Sequence, residues 1–353
     1  MKPLSSKNIH DYLQQNVFPH VNFITQGKIR GFKEAGGGLV SRVFRVLIDG
    51  TPIFLKQALP GEKKYEKIIK NIPKEFNLVF NDQRQIYEVK ALRIFEKAVG
   101  RGIAPHVYYH DTKNNVMVLS EVGGSRAKLF EDIISREINL TASKKLAIIA
   151  AKLVNNTYGK IKPLRSTKID KKIQLAKLKI QCLNVYQNLS PSAQKKVRAE
   201  QEKFVKESIK INKVLVHGDY HPRNILVDGV RVGTVDLEEA HLGDPSFDFG
   251  ILLAHYLLRG IYHRKIRAKA LRTAQIMYRL FLQKIRIPEN KKRLENRLRS
   301  TIGGMMLGRL DGISSAWTWW IKKENTKKEI RKMAVKIILD KNRSFNSILE
   351  EFL

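Results

Sequence analysis

The sequence predicts an α+β protein, with a small β-rich lobe followed by a larger, mainly helical one. Three observations carry this expectation. Strand-like runs cluster in the first third, the glycine pair Gly123-Gly124 interrupts the chain just after them, and long amphipathic runs fill most of the remainder. The β-rich lobe is expected over residues 1–122 and the helical lobe over 123–353, with a short connection near residue 122.

Each element has a local reason. Val43 to Ile48 is rich in β-formers, Asp49-Gly50 is a hairpin turn signal, and Ile53 to Lys56 follows at once as the return strand. A helical stretch runs from about Asp82 to Ala98. Strands are then expected over Val107 to His110 and Val116 to Leu119, joined by the polar turn Asp111 to Asn115. In the helical half, Ser190-Pro191 offers an N-cap hydroxyl and a proline at the first helical position. Amphipathic runs cover about Arg264 to Arg286 and Thr326 to Leu339. Three short apolar runs interrupt these helices: Val214 to Val216, Ile225 to Val227, and Val232 to Val235, the last ending on Asp236. No internal repeat or low-complexity segment is evident.

Composition narrows the class. A chain of 353 residues with 43% hydrophobic content can bury a sizeable core. The single Cys182 excludes a disulfide framework and suits a reducing interior. The opening MKPLSSKNIHDYLQQNVF lacks the apolar segment of a signal peptide, and the most apolar stretch, Phe249 to Leu258, is too short to span a bilayer. A cytoplasmic protein without membrane contact is expected. Against 33 acidic residues stand 66 Lys and Arg, a net charge of +33 that attracts anions. The basic residues are dispersed, as in KKIQLAKLKI, and neither zinc-finger spacing nor an RNA-recognition aromatic motif is present. Solvated helix faces are therefore the expected place of this charge, and no specific nucleic-acid partner is expected.

The chemistry concentrates in LVHGDYHPRNILVDGVRVGTVDLEE, residues 215–239. Phosphoryl transfer from ATP needs a group that orients the attacking hydroxyl and ligands that hold Mg²⁺ against the phosphates. Asp219 can accept or orient the substrate proton, Asn224 can give an amide oxygen to a metal, and Asp236 can chelate Mg²⁺. The hairpin from Ile225 to Val235 would return the chain so that Asp236 lies beside Asn224.

HGDYHPRN, then VDLEE, then GDPSFD together resemble the signature of the aminoglycoside phosphotransferase and choline kinase superfamily. Those proteins are small-molecule kinases, and the resemblance implies a protein-kinase-like two-lobe fold, ATP and Mg²⁺ as cofactors, and a small-molecule hydroxyl acceptor. It implies that Asp219 is the catalytic base, that Asn224 and Asp236 are metal ligands, and that Glu238 belongs to the metal site, as ligand to a second metal or as a carboxylate behind the first. His217 would brace the loop and Asp248 would cap the following helix. The resemblance also implies a strand lysine paired with a helix glutamate. Lys56 ends an apolar run, and Glu88 stands in helical register with Ala91, Leu92 and Phe95, where a carboxylate is costly unless paired. Gly36, Gly37 and Gly38 would form the nucleotide-covering loop, and Ser120, Glu121 and Val122 the connection that meets adenine.

Two further stretches are similar to methylthioribose kinases. FLKQALP matches the segment around the phosphate lysine, and MMLGRLDGIS resembles a C-terminal helix that carries two arginines. Here Gly308 and Arg309 stand in place of that pair, so Arg309 alone would grip the acceptor while Gly308 leaves space. Trp317, Trp319 and Trp320 are expected in the core rather than on a ligand. The alternatives are a RIO-like protein kinase and a nucleic-acid-binding protein on a kinase scaffold. GDPSFDFG leaves no room for the long activation segment of the first. A homodimer is the one macromolecular partner the sequence leaves open.

Overall fold

A computed structural model describes residues 3–21, 27–35, 41–59, 83–183, 185–312, 315 and 318–353. The glycine triplet Gly36 to Gly38 and Trp317 lie outside the described residues.

After a short helix α1 (Ile9–Tyr12), strands β1 (Ile29–Ala35), β2 (Ser41–Ile48) and β3 (Thr51–Ala58) lead to helix α2 (Arg84–Val99). Strands β4 (Val107–Asp111) and β5 (Val116–Ser120) complete an antiparallel sheet in the order β1-β2-β3-β5-β4. The Asp49-Gly50 turn joins β2 to β3, with both residues at positive φ as a tight hairpin requires. Side chains alternate across a strand. Ile53 and Leu55 enter a core formed with Val46, Ile48, Val116 and Val118, while Phe54 packs on the other face against the larger core. Lys56 shares that second face, toward α2.

The larger part begins with strand β6 (Lys128–Leu129) and helices α3 (Phe130–Ile134), α4 (Leu140–Thr157), α5 (Thr167–Cys182) and α6 (Pro191–Ile211). Strand β7 (Val214–Val216), the hairpin β8 (Ile225–Asp228) and β9 (Arg231–Thr234), and strand β10 (His241–Gly243) follow. Helices α7 (Phe247–Tyr262), α8 (Arg267–Lys284), α9 (Lys291–Asp311), α10 (Glu324–Leu339) and α11 (Phe345–Glu350) close the chain. Strand β10 pairs antiparallel with β7, and β6-β8-β9 form a second small sheet. Among the described residues, no helix is long and apolar enough to cross a membrane.

Two local expectations fail for steric or geometric reasons. Pro191 does open α6, but the Ser190 hydroxyl makes no capping bond; its carbonyl instead accepts from the Gln194 N–H at 2.8 Å. Gly308 leaves no room for a second guanidinium: an ideal Cβ there would fall 2.3 Å from the Gln181 carbonyl oxygen. Its missing side chain lets α9 approach the backbone of α5. Gly308→Ala should therefore destabilise the fold by about 1–3 kcal/mol, as overpacking against backbone does. Thermal melting reads this directly, and an unchanged Tm would contradict the packing role.

Candidate active site

The polar residues of the 215–239 stretch converge because short strands hold their loop from both sides. Gly218 has φ +85°, and a Cβ there would lie 2.4 Å from the Glu239 carbonyl oxygen, so the turn tolerates only glycine. His217 is fully buried, and burial lowers its pKa to about 4, which keeps the ring neutral. Its Nε2 meets the Val235 carbonyl at 2.9 Å, and its Nδ1 accepts the Asp219 N–H at 3.3 Å. The ring braces the loop, as its position in the motif implies. Asp248, expected to cap α7, does something else. Its carboxylate accepts the backbone N–H groups of His217 at 2.6 Å and Gly218 at 3.1 Å, across from its own helix. The capping role is corrected to bracing of the loop that carries Asp219.

Asp219 receives hydrogen bonds from two sides. His221 Nε2 stands 3.1 Å from Oδ2, and the Asn224 side-chain amide donates to the Asp219 carbonyl at 3.0 Å and to Oδ2 at 3.3 Å. The His221 Nδ1 accepts the Arg223 N–H, which leaves Nε2 to donate. Burial works against the Asp219 carboxylate, but His221, Lys177 and Arg309 outweigh it and hold its pKa well below the usual range. Asp219 is thus an ionised carboxylate held in a fixed orientation. With the Asn224 amide nitrogen turned to Asp219, its oxygen is the atom left for a metal. Val235 donates its N–H to the Asn224 carbonyl at 3.0 Å, which sets Asp236 beside Asn224.

Asp236 sits at φ +68°, a conformation that costs a non-glycine residue energy and is concentrated at functional positions. Its carboxylate lies 2.5 Å from Lys56 Nζ, which also meets Glu88 at 2.8 Å and Glu238 at 3.6 Å. The expected Lys56–Glu88 pair is present, and Gln85 fastens α2 to β3 through the Lys56 carbonyl at 2.8 Å. Burial would lower the Lys56 pKa, yet the three carboxylates raise it above its ordinary value. Burial and the Asp236 charge push Glu238 up to about 8. Ligand atoms of Glu88, Asp236 and Glu238 lie within 4.8 Å of one another, and one buried Glu238 oxygen has no hydrogen-bond partner among the described residues. Lys56 and, 4.0 Å from Glu238, Arg84 are the cations beside these three carboxylates, whose oxygens are donors of the kind a hard divalent cation takes. Glu121 and Val122 follow β5, where Glu121 pairs with Arg45 at 3.1 Å and Val122 is buried.

Lys177 and Arg309 complete the surroundings of Asp219. Both are buried, one on α5 and one on α9, the two helices that Gly308 brings together. Lys177 pairs with Glu239, and burial lowers its pKa to about 8. It carries no motif, but its spacing from Asp170, Ile173, Gln174 and Gln181 puts it on the buried face of α5. Of the tryptophans, Trp319 is exposed, contrary to expectation. Trp320 packs partly against the core, with the Arg259 guanidinium 3.9 Å from its ring centroid.

A two-lobe protein-kinase-like fold is what this sheet, the buried lysine-glutamate pair and the helical second lobe define. The chain superposes on a protein from Ralstonia eutropha, provisionally described as an aminoglycoside phosphotransferase, with a TM-score of 0.53 and 12% identity over 99% of both chains. A GDP complex of an aminoglycoside 2'-phosphotransferase-IIIa variant gives a TM-score of 0.50 at 12% identity, covering 98% of this chain and 97% of the other. Residues 173–278 match the phosphotransferase enzyme family. That segment holds Asp219, Asn224, Asp236 and Asp248 but neither Lys56, Glu88 nor Arg309. No curated protein matches the chain significantly. The resemblance to the aminoglycoside phosphotransferase and choline kinase superfamily holds; the one to methylthioribose kinases has no counterpart in these findings.

Proposed function

We propose that this protein is an ATP-dependent kinase that transfers the γ-phosphoryl group to a hydroxyl of a small molecule. One observation carries the reading above all: Lys56 bridges Glu88 of the sheet-side helix and Asp236 of the second part, with ionised Asp219 on the adjoining loop. Nucleotide would lie over the β-rich lobe of residues 1–122, its phosphates on Lys56 and its base against the 120–122 connection, with the acceptor in the lobe of residues 123–353. That one protein of similar fold is a GDP complex supports nucleotide binding.

The chemistry assigned to each residue is simple. Asn224, Asp236 and Glu238 would hold Mg²⁺, which neutralises phosphate charge and fixes the leaving oxygen. Asp219 orients the acceptor hydroxyl and takes its proton. As the acceptor O–P bond forms, the bond from the γ-phosphorus to the bridging oxygen breaks and ADP leaves. Arg309 grips the acceptor. The RIO-like alternative is disfavoured because only β10 and the turn to Ser246 separate Asp236 from α7, so no activation segment intervenes.

An ADP-release screen over sugars, methylthioribose, choline, homoserine and aminoglycosides, extended to their phosphorylated and acidic derivatives, tests the reading. Release coupled to formation of a phosphate monoester is expected. Phosphorylation of protein targets with none on small molecules would overturn it.

A further inference from the structure

We propose that the acceptor carries an anionic group, a phosphate or a carboxylate, bound by Arg309 with Arg259 and Arg223. This rests on the kinase reading and adds the chemical class of acceptor to it. Arg309 is 5% exposed, and its Nε has no hydrogen-bond partner among the described residues. Asp219 and Glu131 favour its charge, whereas Arg223 and Lys177 oppose it. Glu131 is already engaged, since Arg223 and Arg259 both bond its carboxylate. A buried guanidinium with an unsatisfied Nε, on which Arg223 adds like charge, is a costly arrangement that an oxyanion would relieve.

Other buried polar groups around Arg259 and His221 are also unsatisfied. Arg259 stacks on Trp320, and buried Nε2 of His255 and Nε1 of Trp320 also have no partner among the described residues. The His255 ring centroid is 5.9 Å from that of His221, which reaches Asp219. Guanidinium groups bind oxyanions through paired, directional hydrogen bonds. A polycationic aminoglycoside or choline would meet like charge here and would have to displace an arginine from Glu131. The net charge of +33 would draw an anionic acceptor toward the protein, whereas it would repel a cationic one.

Calorimetry on the protein saturated with Mg²⁺ and a non-hydrolysable ATP analogue tests this. The probes are ribose and ribose 5-phosphate, glucose and glucuronate, choline and kanamycin. The anionic member of at least one pair should bind about tenfold or more tighter than its neutral twin, the size expected for a charge-assisted bond. The pair with the larger ratio tells phosphate from carboxylate, and the two cations should not bind. Arg309→Met should reduce the ratio to near unity while leaving analogue affinity intact. Arg223→Gln, at a more exposed side chain, should reduce it also and keeps the test valid if the buried substitution fails to fold. Equal binding of neutral and anionic twins, binding of choline or kanamycin, or full retention of the ratio in Arg223→Gln and in any folded Arg309→Met protein would overturn the inference. Failure of the analogue itself to bind would instead remove the kinase reading on which it rests.

Discussion

Asp219→Asn is expected to lower kcat by about 10²–10⁴-fold, the contribution of a positioned base. The substitution is nearly isosteric, and its side-chain oxygen can still accept from His221 and Asn224, so the loop held by His217 and Asp248 should keep its shape. What disappears is the ionised carboxylate that takes the acceptor's proton. Nucleotide affinity should change little, because the Lys56 cluster is untouched. Steady-state kinetics with the best acceptor, alongside a nucleotide titration, separates the two. Near-native kcat would remove Asp219 from the chemistry.

Asp236→Ala should lose both turnover and Mg²⁺-dependent nucleotide binding. Even outer residues of metal sites typically contribute about 10–100-fold to metal affinity or activity, and a direct ligand contributes at least as much. The variant also frees Lys56 from its 2.5 Å contact, so binding of ATP without metal should persist while the gain on adding Mg²⁺ vanishes. Calorimetry with and without Mg²⁺ distinguishes these. An undiminished Mg²⁺ effect would place the metal elsewhere.

Much of this arrangement is legible in the sequence, because the loop and the buried pair have local signatures. Glu88 stands at helical spacing among apolar residues, a position that demands a cation, and Lys56 supplies it at 2.8 Å. The alternation of short strands with polar residues marks the Asp219, Asn224 and Asp236 turns. What the sequence hides depends on contacts between distant elements. KKIQLAKLKI reads as solvated lysines, yet Lys177 is turned inward beside Asp219. Asp248 looks like a helix cap because capping is local, whereas its partners at residues 217 and 218 are brought by the tertiary fold. Gly308 looks like a vacancy in a substrate clamp, and only the neighbouring Gln181 backbone reveals it as a packing contact. Arg259, Arg309 and Arg223 likewise come from α7, α9 and the 219–224 loop, which no sequence window contains together.

The fate of the γ-phosphoryl group is the most direct test of the proposed function. The protein is incubated with Mg²⁺ and ATP radiolabelled at the γ-phosphate, together with a pool of hydroxylated phosphates and carboxylates. Label should pass to a phosphate monoester of an anionic hydroxy compound, and Asp219→Asn should suppress the transfer by at least about 10²-fold. Label that reaches only water or the protein itself, or reaches the acceptor equally well in both proteins, would contradict phosphoryl transfer driven by Asp219.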